Sequence, residues 1–375
     1  MSLESDLSRL IRDQFDNNGI SFKRSMRLER LTARYFEMTT RLIQPVPRDV
    51  HFSDQIHTSL GALSREGEND SSARDAWGMV FGLRQHLVDG VNVNAFLSKN
   101  IRNADGWDGL LWTYGMHHFY LGRETGRDGF VKRSKYLLFA IVTPTDAHFV
   151  DVRPHPPRDG IGWVSQKLLQ IVHASWPSLI EANILHGVSG DELTDEEMQE
   201  LRRKNVNYPI SIDGKAIAPL RGGMANDGSS VLCTQSAISL VEELRYHEQV
   251  LRNEEVRQAI AKDLRGKGHD VESTLEFELV ILEESDPPPE LIAALTADGC
   301  ISRDLCLRGF VIVEQKSRSP IIIHDSGVAP KLGVSNGGPL GTTPIMVEGT
   351  LQGPTKSLQV YAGETKTPGY MKMPR

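Results

Sequence analysis

Apolar residues recur every three or four positions over most of the first hundred residues, which is the spacing of one face of a helix. The QPVPRD turn stops one such run, and Gly90 stands where a helix C-cap is expected at the end of another. The runs are LSRLIRDQF, MRLERLTARYFEMTTRLI and ARDAWGMVFGLRQHLVDG. Together they predict a helical region over residues 1–104.

The period changes near residue 105, where three short runs rich in aromatic and branched residues predict strands. These runs are YGMHHFYLG, KYLLFAIVT and AHFVDVRPH. The short PTDA link between the second and third runs predicts an antiparallel hairpin. A helix follows and is ended by Pro177. Residues 105–190 are therefore predicted to form an α+β domain, in which a small central antiparallel sheet has flanking helices.

Residues 191–326 contain a second set of predicted elements and predict a second α+β domain. The set comprises an acidic helix, a long charged helix, the strand TLEFELVILEE, the helix PPPELIAAL, and a hairpin of RGFVIVEQ with SPIIIHDS. Gly, Pro, Ser and Thr dominate residues 327–375, which predicts an extended or disordered C-terminal tail. The predicted fold class of the whole chain is α+β.

Composition and charge limit the classes of function. The formal net charge of −7 gives no global positive field, so any site for a polyanion must be a local basic patch. Cys233, Cys300 and Cys306 lack the spacing of a disulfide or zinc framework, and no long apolar run is present. These features predict a cytoplasmic protein with no membrane span. The absence of GxxxxGK[ST], GxGxxG before a helix, HExxH and GxSxG argues against the common nucleotide-driven motors, dinucleotide enzymes, zincins and serine hydrolases.

The two adjacent histidines of YGMHHFYLG have different predicted environments. Alternate side chains of a strand face opposite ways, so His117 and His118 cannot share a face. His117 goes with Phe119 in an apolar set that predicts core. His118 goes with Tyr120 in a mixed aromatic and polar set. The sequence therefore predicts that only His118 is available for chemistry.

The same alternation predicts a cluster across the three strands. If their polar faces coincide, Asp151, Arg153 and His155 converge with His118 and Tyr120, and Arg133 and Lys135 enter at the start of the middle strand. Such a cluster contains what RNA cleavage without a cofactor requires: His118 and His155 as acid and base, cations on the phosphate, and Tyr120 to stack on a base. The alternative is a structural surface of Tyr, Arg and His beside a hairpin, with one core histidine.

The order of a helix, YGMHHFYLG, KRSKYLLFAIV, AHFVDVRPH and a further helix over residues 105–180 resembles the compact sheet of RelE-like toxins, which are ribonucleases that cut messenger RNA. In that family a basic residue near the start of the middle strand, here Arg133 or Lys135, and residues of the last strand, here Arg153 or His155, lie near the scissile phosphate. The resemblance implies a metal-independent ribonuclease of toxin–antitoxin or phage-defence type with RNA as its partner. Such toxins are small and strongly basic, whereas this chain is long and acidic. Its extra helices could serve as a fused partner, or the resemblance could be one of sheet topology alone.

A second group of residues supports a different hypothesis. Glu314 and Lys316 share a face at the end of an apolar strand, and Asp304 precedes Glu314 by ten residues. An Asp followed by Glu-x-Lys resembles the PD-(D/E)XK nucleases, which implies a Mg²⁺ ion held by Asp304 and Glu314 with Lys316 beside the attacking water. The proline that precedes the Asp in many members is absent, and Arg303 stands there. The alternative is an ordinary charged end of a strand.

A third hypothesis is a non-catalytic binding or regulatory scaffold. The predicted helix over residues 240–265 carries apolar positions that could pack within the chain or provide a protein interface for a partner or for self-association. These positions are Leu240, Val241, Leu244, Val250, Leu251, Val256, Ile260 and Leu264.

Overall fold

The computed structural model describes residues 2–156, 163–190, 192–266, 268–271, 275–281, 310–317, 320–325, 345–347 and 358–362. Its α-helices are α1 (Leu3–Asn17), α2 (Leu28–Arg41), α3 (Asp54–Glu66), α4 (Ser71–Val88), α5 (Gly109–Tyr114), α6 (Gln166–Ser175), α7 (Ser178–Glu181), α8 (Asp195–Arg203), α9 (Val231–Arg252) and α10 (Glu254–Gly266). Its strands are β1 (Asp49–Phe52), β2 (Met116–Tyr120), β3 (Tyr136–Val142), β4 (Asp146–Pro154), β5 (Ile210–Ile212), β6 (Lys215–Ile217), β7 (Phe277–Ile281), β8 (Phe310–Glu314), β9 (Pro320–Asp325), β10 (Ile345–Val347) and β11 (Leu358–Ala362). The predicted α+β class is confirmed.

The chain divides into two compact units. The sheet unit contains Phe15–Ala237. The other, called the C-terminal unit, combines the residues up to Gln14 with the described residues from Ile238 onward. The predicted helical region and the predicted first α+β domain thus fall for the most part into one unit.

The sheet unit is built around a four-stranded sheet in the order β1-β4-β3-β2. The β3–β4 and β2–β3 pairs are antiparallel, as the alternating patterns and the PTDA link predict. Strand β1, with the sequence DVHF, is not predicted from the sequence; it pairs in parallel with β4. The sheet is therefore mixed, and its parallel edge strand comes from the region predicted to be helical.

Strand β3 is apolar on both faces, and all seven of its residues are buried. Such a strand needs cover on both sides, and helices supply it. Helix α6 packs on one face, which is called the α6 face, with Leu168 and Val172 against Phe139 and Ile141. Helices α3 and α4 pack on the opposite side, against β4 and against β1 and β3 respectively.

A β-bulge in β4 changes which side chains reach the α6 face. The register runs from Phe139 opposite Asp151 directly to Ala140 opposite Phe149, so Val150 is an extra residue. Strict alternation would put His148 and Arg153 on opposite faces. With the bulge, His148 lies opposite Ile141 and Arg153 opposite Leu137, and both of these partners belong to the core of the α6 face. The bulge therefore turns both ends of β4 towards the same face.

The run YGMHHFYLG is not a strand along its whole length. Tyr114 is the last residue of α5, and the strand begins only at Met116. Gly115 makes the change of direction at a φ of 66°, a left-handed conformation that glycine adopts without steric cost. This correction leaves the alternation of His117 and His118 in β2 intact.

Buried charges hold α2 against the loops of the sheet unit. Glu37 is fully buried. It accepts one hydrogen bond of 2.6 Å from Arg34 and another from the Ser230 amide. Arg41 donates to the carbonyl oxygens of Asn100 and Gly106. Because each charged group has partners, this network has a structural role and is not free to bind a ligand.

The C-terminal unit contains the sheet β10-β11-β9-β8-β7, in which β8 and β9 form the predicted hairpin. Strands β10 and β11 lie inside the predicted tail and pair into this sheet. The long predicted helix is two helices, with a break at Asn253. PPPELIAAL lies outside the described residues. None of the helices that the structure describes is both long and apolar enough to cross a membrane.

The apolar positions predicted as an interface in α9 and α10 are covered within the chain. Leu240, Val241, Leu244 and the other five are between 0 and 3% exposed. Of the two alternatives for these positions, the structure shows packing within the chain. Self-association or a protein partner at this helix stays a prediction.

Candidate functional site

One group of aromatic and histidine side chains lies on the α6 face near the end of β4. His118 contacts the ring of Trp163 at 4.8 Å between centroids, and His155 contacts the same ring at 5.5 Å. Tyr120 lies 6.2 Å from His118 and stacks on His155 at 6.0 Å with an angle of 22°. With Arg133 these residues form a group that is called the Trp163 cluster. All four rings are partly exposed, so a ligand can reach them.

Arg133 holds its guanidinium against His155. Its Nε donates to His155 Nε2 at 3.1 Å, and its Nη2 lies 2.9 Å from the same atom. His155 Nδ1 lies 2.8 Å from the carbonyl oxygen of Pro156, so it carries the proton and Nε2 is the acceptor. The exposed guanidinium and the histidine nitrogen thus meet at the edge of the aromatic rings.

Burial changes the acid–base properties of two rings in the cluster. It lowers the pKa of His118; the charge of His155 acts in the same direction and that of Asp108 in the opposite one. Burial also raises the pKa of the Tyr120 hydroxyl, which Arg133 partly counteracts. At neutral pH His118 is therefore a neutral imidazole, the form that accepts a proton.

The structure brings together four of the predicted site residues, His118, Tyr120, Arg133 and His155. It also adds Trp163, which sequence analysis does not select. The only sequence signal for Trp163 is its position just before α6 and eight residues after His155, which ends the predicted strand. Because residues 157–162 lie outside the described part of the chain, the description of the cluster stops at Pro156 and resumes at Trp163.

Lys135 does not join the cluster. Its Nζ lies 2.8 Å from both Glu66 and Asp70, which belong to the end of α3 and the start of α4. The hydrogen bonds to Asp70 and Glu66 raise the pKa of Lys135. The phosphate contact of Lys135 therefore stays a prediction; in this structure two carboxylates from other helices bind its ammonium group.

Arg153 is also committed to partners inside the chain. Its Nε donates to Asp151 at 2.7 Å and its Nη1 to Ser165 at 3.1 Å. Asp151 accepts a further hydrogen bond of 2.6 Å from Ser59. Arg153 and Asp151 thus connect β4 to α3 and to the start of α6.

His117 is a core residue, as its alternation predicts. It is 5% exposed, and its ring lies 6.4 Å from that of Phe119. Burial, with the charge of Arg221, lowers the pKa of His117 to about 3.

The residues of the predicted magnesium site are only partly described. Glu314 is 3% exposed, and its two carboxylate oxygens accept backbone hydrogen bonds from Lys316 at 3.2 Å and Ser317 at 2.7 Å. The Lys316 side chain is exposed. Asp304 lies outside the described residues. The Mg²⁺ site therefore stays a prediction. In this structure the Glu314 carboxylate is hydrogen-bonded to the turn that follows β8.

A second group of histidines occurs at the other end of β4 and is missed by sequence analysis. His51 in β1 pairs in register with His148 in β4, and their rings stack at 4.8 Å. Asp146 accepts a hydrogen bond of 2.7 Å from His51 Nε2. One ligand atom from each of these residues lies within 4.8 Å of the others. This group is called the D-x-H-F pair, after the tetrapeptides DVHF and DAHF that supply it.

Comparison with known proteins gives no relative. The chain matches no family model, and neither the curated proteins nor the solved structures contain a significant match.

Proposed function

We propose that this chain is a metal-independent ribonuclease whose reaction takes place at the Trp163 cluster. The observation that supports the proposal is that two histidines, two aromatic rings and an exposed guanidinium meet on one face of the sheet. Acid–base groups, stacking surfaces and a cation are the elements that RNA cleavage without a metal requires.

Substrate binding would use the rings and the guanidinium. Unpaired bases of single-stranded RNA stack on aromatic side chains, and Tyr120 and Trp163 are both partly exposed. A phosphate is a stronger acceptor for a guanidinium than a neutral imidazole, because the hydrogen bond is then charge-assisted on both sides. Binding of the backbone phosphate would therefore move Arg133 from His155 to the substrate.

The two histidines would then have different roles. His118, kept neutral by burial, would take the proton of the 2′-hydroxyl as that oxygen attacks phosphorus. His155, whose Nε2 is released from Arg133, would take up a proton from solvent at that nitrogen and give it to the 5′-oxygen as the bond from phosphorus to that oxygen breaks. The products would be a 2′,3′-cyclic phosphate on one fragment and a 5′-hydroxyl on the other. The roles of acid and base follow from burial: the more buried ring is the base.

The first test is incubation of the full chain with a labelled single-stranded RNA and with DNA of the same sequence, in EDTA. RNA should be cut and DNA should not, because DNA lacks the 2′-hydroxyl. His155→Ala should reduce the rate by roughly 10²-fold or more, which is the usual contribution of one acid–base group. His118→Gln, which preserves most of the side-chain volume, should have a similar effect.

Matched controls separate the cluster from general damage. Lys132→Ala removes an exposed cation next to Arg133, and His186→Ala removes an exposed histidine; neither should change cleavage. Cleavage of DNA, cleavage only with added Mg²⁺, or an unchanged rate in His155→Ala would contradict the proposal. If no RNA is cut, a filter-binding assay with the same RNA decides whether the cluster only binds it.

The toxin or phage-defence role that the RelE-like resemblance implies depends on the same site. Expression of the wild-type chain should then arrest bacterial growth, whereas His155→Ala expressed to the same level should not. Equal growth of the two strains would contradict a toxin role.

A further inference from the structure

We infer that the D-x-H-F pair is a binding site for one divalent transition-metal ion, with His51, Asp146 and His148 as its three protein ligands. Zn²⁺ is the ion whose chemistry fits this donor set best. The inference does not depend on the proposed ribonuclease reaction.

Strand pairing fixes the geometry of the site. Strands β1 and β4 are parallel neighbours, and four consecutive residues of one lie beside the same four types in the other: Asp, an aliphatic residue, His and Phe. The Phe52 and Phe149 rings stack at 5.4 Å. Since side chains alternate along each strand, His51 and His148 lie together on the opposite face from these phenylalanines. The two imidazoles are therefore side by side because of the backbone register and not because of a flexible loop.

The hydrogen bonding of His148 indicates that a partner is missing. His148 is 8% exposed, and its Nδ1 is buried with no hydrogen-bond partner. Its ring is held from one side by His51 and from another by Trp176, at 4.8 Å each. A buried polar nitrogen in a fully folded region normally has a partner, and a metal ion supplies one.

The donor set selects the class of ion. Two imidazoles and one carboxylate suit Zn²⁺ and neighbouring first-row ions, whereas Mg²⁺ and Ca²⁺ prefer oxygen ligands alone. Three protein ligands leave at least one coordination position for water. The side chains of His51 and Asp146 are 43% and 33% exposed, so that position can be reached from solvent.

Binding requires only a small closure. Metal–ligand bonds of about 2.0–2.2 Å in a tetrahedron put the ligand atoms roughly 3.4 Å apart. In this structure the three ligand atoms lie within 4.8 Å of one another, and His51 Nε2 and Asp146 Oδ1 are already 2.7 Å apart. The exposed His51 side chain can make the adjustment, because the buried His148 ring is fixed.

The site is separate from the Trp163 cluster. His148 in β4 and His155, the residue after β4, are seven residues apart, which corresponds to on the order of 20 Å along an extended strand. A metal at the D-x-H-F pair therefore does not contact the rings proposed to act on RNA. Removal of this metal ion by EDTA is therefore not expected to affect RNA cleavage, and the two properties can be tested separately.

The experiment is equilibrium dialysis of the untagged full-length chain against Zn²⁺ after treatment with a chelator, followed by elemental analysis. The wild type should retain one Zn²⁺ per chain. His51→Ala and Asp146→Asn should each weaken binding roughly tenfold or more, because each removes a direct ligand. Both residues are partly exposed, so the variants should fold. His148→Phe, which keeps a ring against Trp176, tests the buried ligand.

Two control variants should bind Zn²⁺ as the wild type does. Asp49→Asn changes an exposed carboxylate beside Asp146 in the register, and His186→Ala removes an exposed histidine. Replacement of Zn²⁺ by Co²⁺ should give visible d–d absorption that is absent in His51→Ala. A wild-type chain that retains no Zn²⁺, or variants of His51 and Asp146 that bind as the controls do, would overturn the inference and leave the pair as a hydrogen-bonded contact between strands.

Discussion

The two histidine groups of the sheet unit lie on the same face of one sheet but are assembled in different ways. The Trp163 cluster is built from β2, the residues just before β3, the residue just after β4 and the residues just before α6, which follow one another along the chain. The D-x-H-F pair joins β4 to a parallel strand from the other end of the unit; the neighbouring residues Ser53 and Val150 are 97 positions apart. Alternation within a strand can therefore reveal the first kind of group, whereas the second depends on pairing between distant segments.

The bulge at Val150 is the feature that both groups share, and its removal should have the largest effect. Deletion of Val150 would shift one half of β4 by a residue and turn its side chains to the wrong face. We expect the unfolding free energy to fall by more than ~4 kcal/mol, with loss of both Zn²⁺ binding and RNA cleavage. Urea denaturation followed by circular dichroism measures the first effect, and the assays described above measure the others.

Val150→Ala is the control for this deletion, because it removes two methyl groups and keeps the register. It should cost about 2 kcal/mol and leave both activities in place. A deletion variant that still binds Zn²⁺ and cuts RNA would show that the bulge does not organise the two groups.

Reciprocal variants should separate the two groups and have the next largest effect. His155→Ala should reduce RNA cleavage by roughly 10²-fold or more and leave Zn²⁺ binding unchanged. His51→Ala should weaken Zn²⁺ binding roughly tenfold or more and leave cleavage in EDTA unchanged. The Zn²⁺-binding and RNA-cleavage assays, made on the same preparations of the two variants, show whether the two groups act separately. If either variant lost both properties, the groups would be parts of a single site.

Acidification should destabilise the sheet through His117, which faces away from both groups. The pKa of His117 is about 3 in the folded chain and about 6.5 when unfolded, so the unfolded state takes up the proton first. Its contribution to stability is complete above pH 6.5 and is lost progressively as the pH falls towards 3. Between pH 7 and pH 4 the wild type should lose on the order of 3 kcal/mol more than His117→Leu.

Urea denaturation at pH 7, 5 and 4 measures this difference. The control is His186→Ala, whose loss of stability with acid should equal that of the wild type, because His186 is exposed. Parallel curves for the wild type and His117→Leu would mean that His117 does not set the acid limit.

The smallest effect is expected for Lys135, the residue that the sequence assigns to the phosphate. Lys135→Met breaks exposed ion pairs with Glu66 and Asp70 and should change the unfolding free energy by less than ~1 kcal/mol. RNA cleavage should stay within about twofold of the wild type. Arg133→Met, in contrast, should weaken RNA binding, and the two variants compared in one cleavage assay identify the cation that matters. A large loss in Lys135→Met would return Lys135 to the site.

Sequence patterns predicted the β3–β4 hairpin because a turn-forming PTDA link separates two apolar runs, and both signals are local. They also indicated which of the two adjacent histidines lies in the core. The bulge was not predictable, since Val150 fits an uninterrupted strand as well as an interrupted one. Strict alternation would therefore put Phe149 on the same face as Arg153 and His148 on the opposite one, whereas the register puts His148 and Arg153 on one face.

Strand β1 was missed for a different reason. Its four residues lie between a proline-rich turn and Ser53, the N-cap of α3, and are too few to show a period. The signal that could have identified it is the repeated D-x-H-F, at 49–52 and 146–149. The ion pairs of Lys135 were not predictable either, because its carboxylate partners come from helices whose position relative to the sheet no local pattern contains.

The parallel pairing of β1 also has a consequence for the order in which the chain folds. During synthesis β1 emerges well before β4 exists, and it has no partner strand until nearly a hundred more residues have been made. Contacts between segments so far apart in sequence form slowly, because the intervening chain loses entropy when its ends meet. The hairpin of β3 and β4 can form first from local contacts. We therefore expect the sheet to close at its β1 edge last, so that His51 reaches His148 only when the nascent unit is nearly complete.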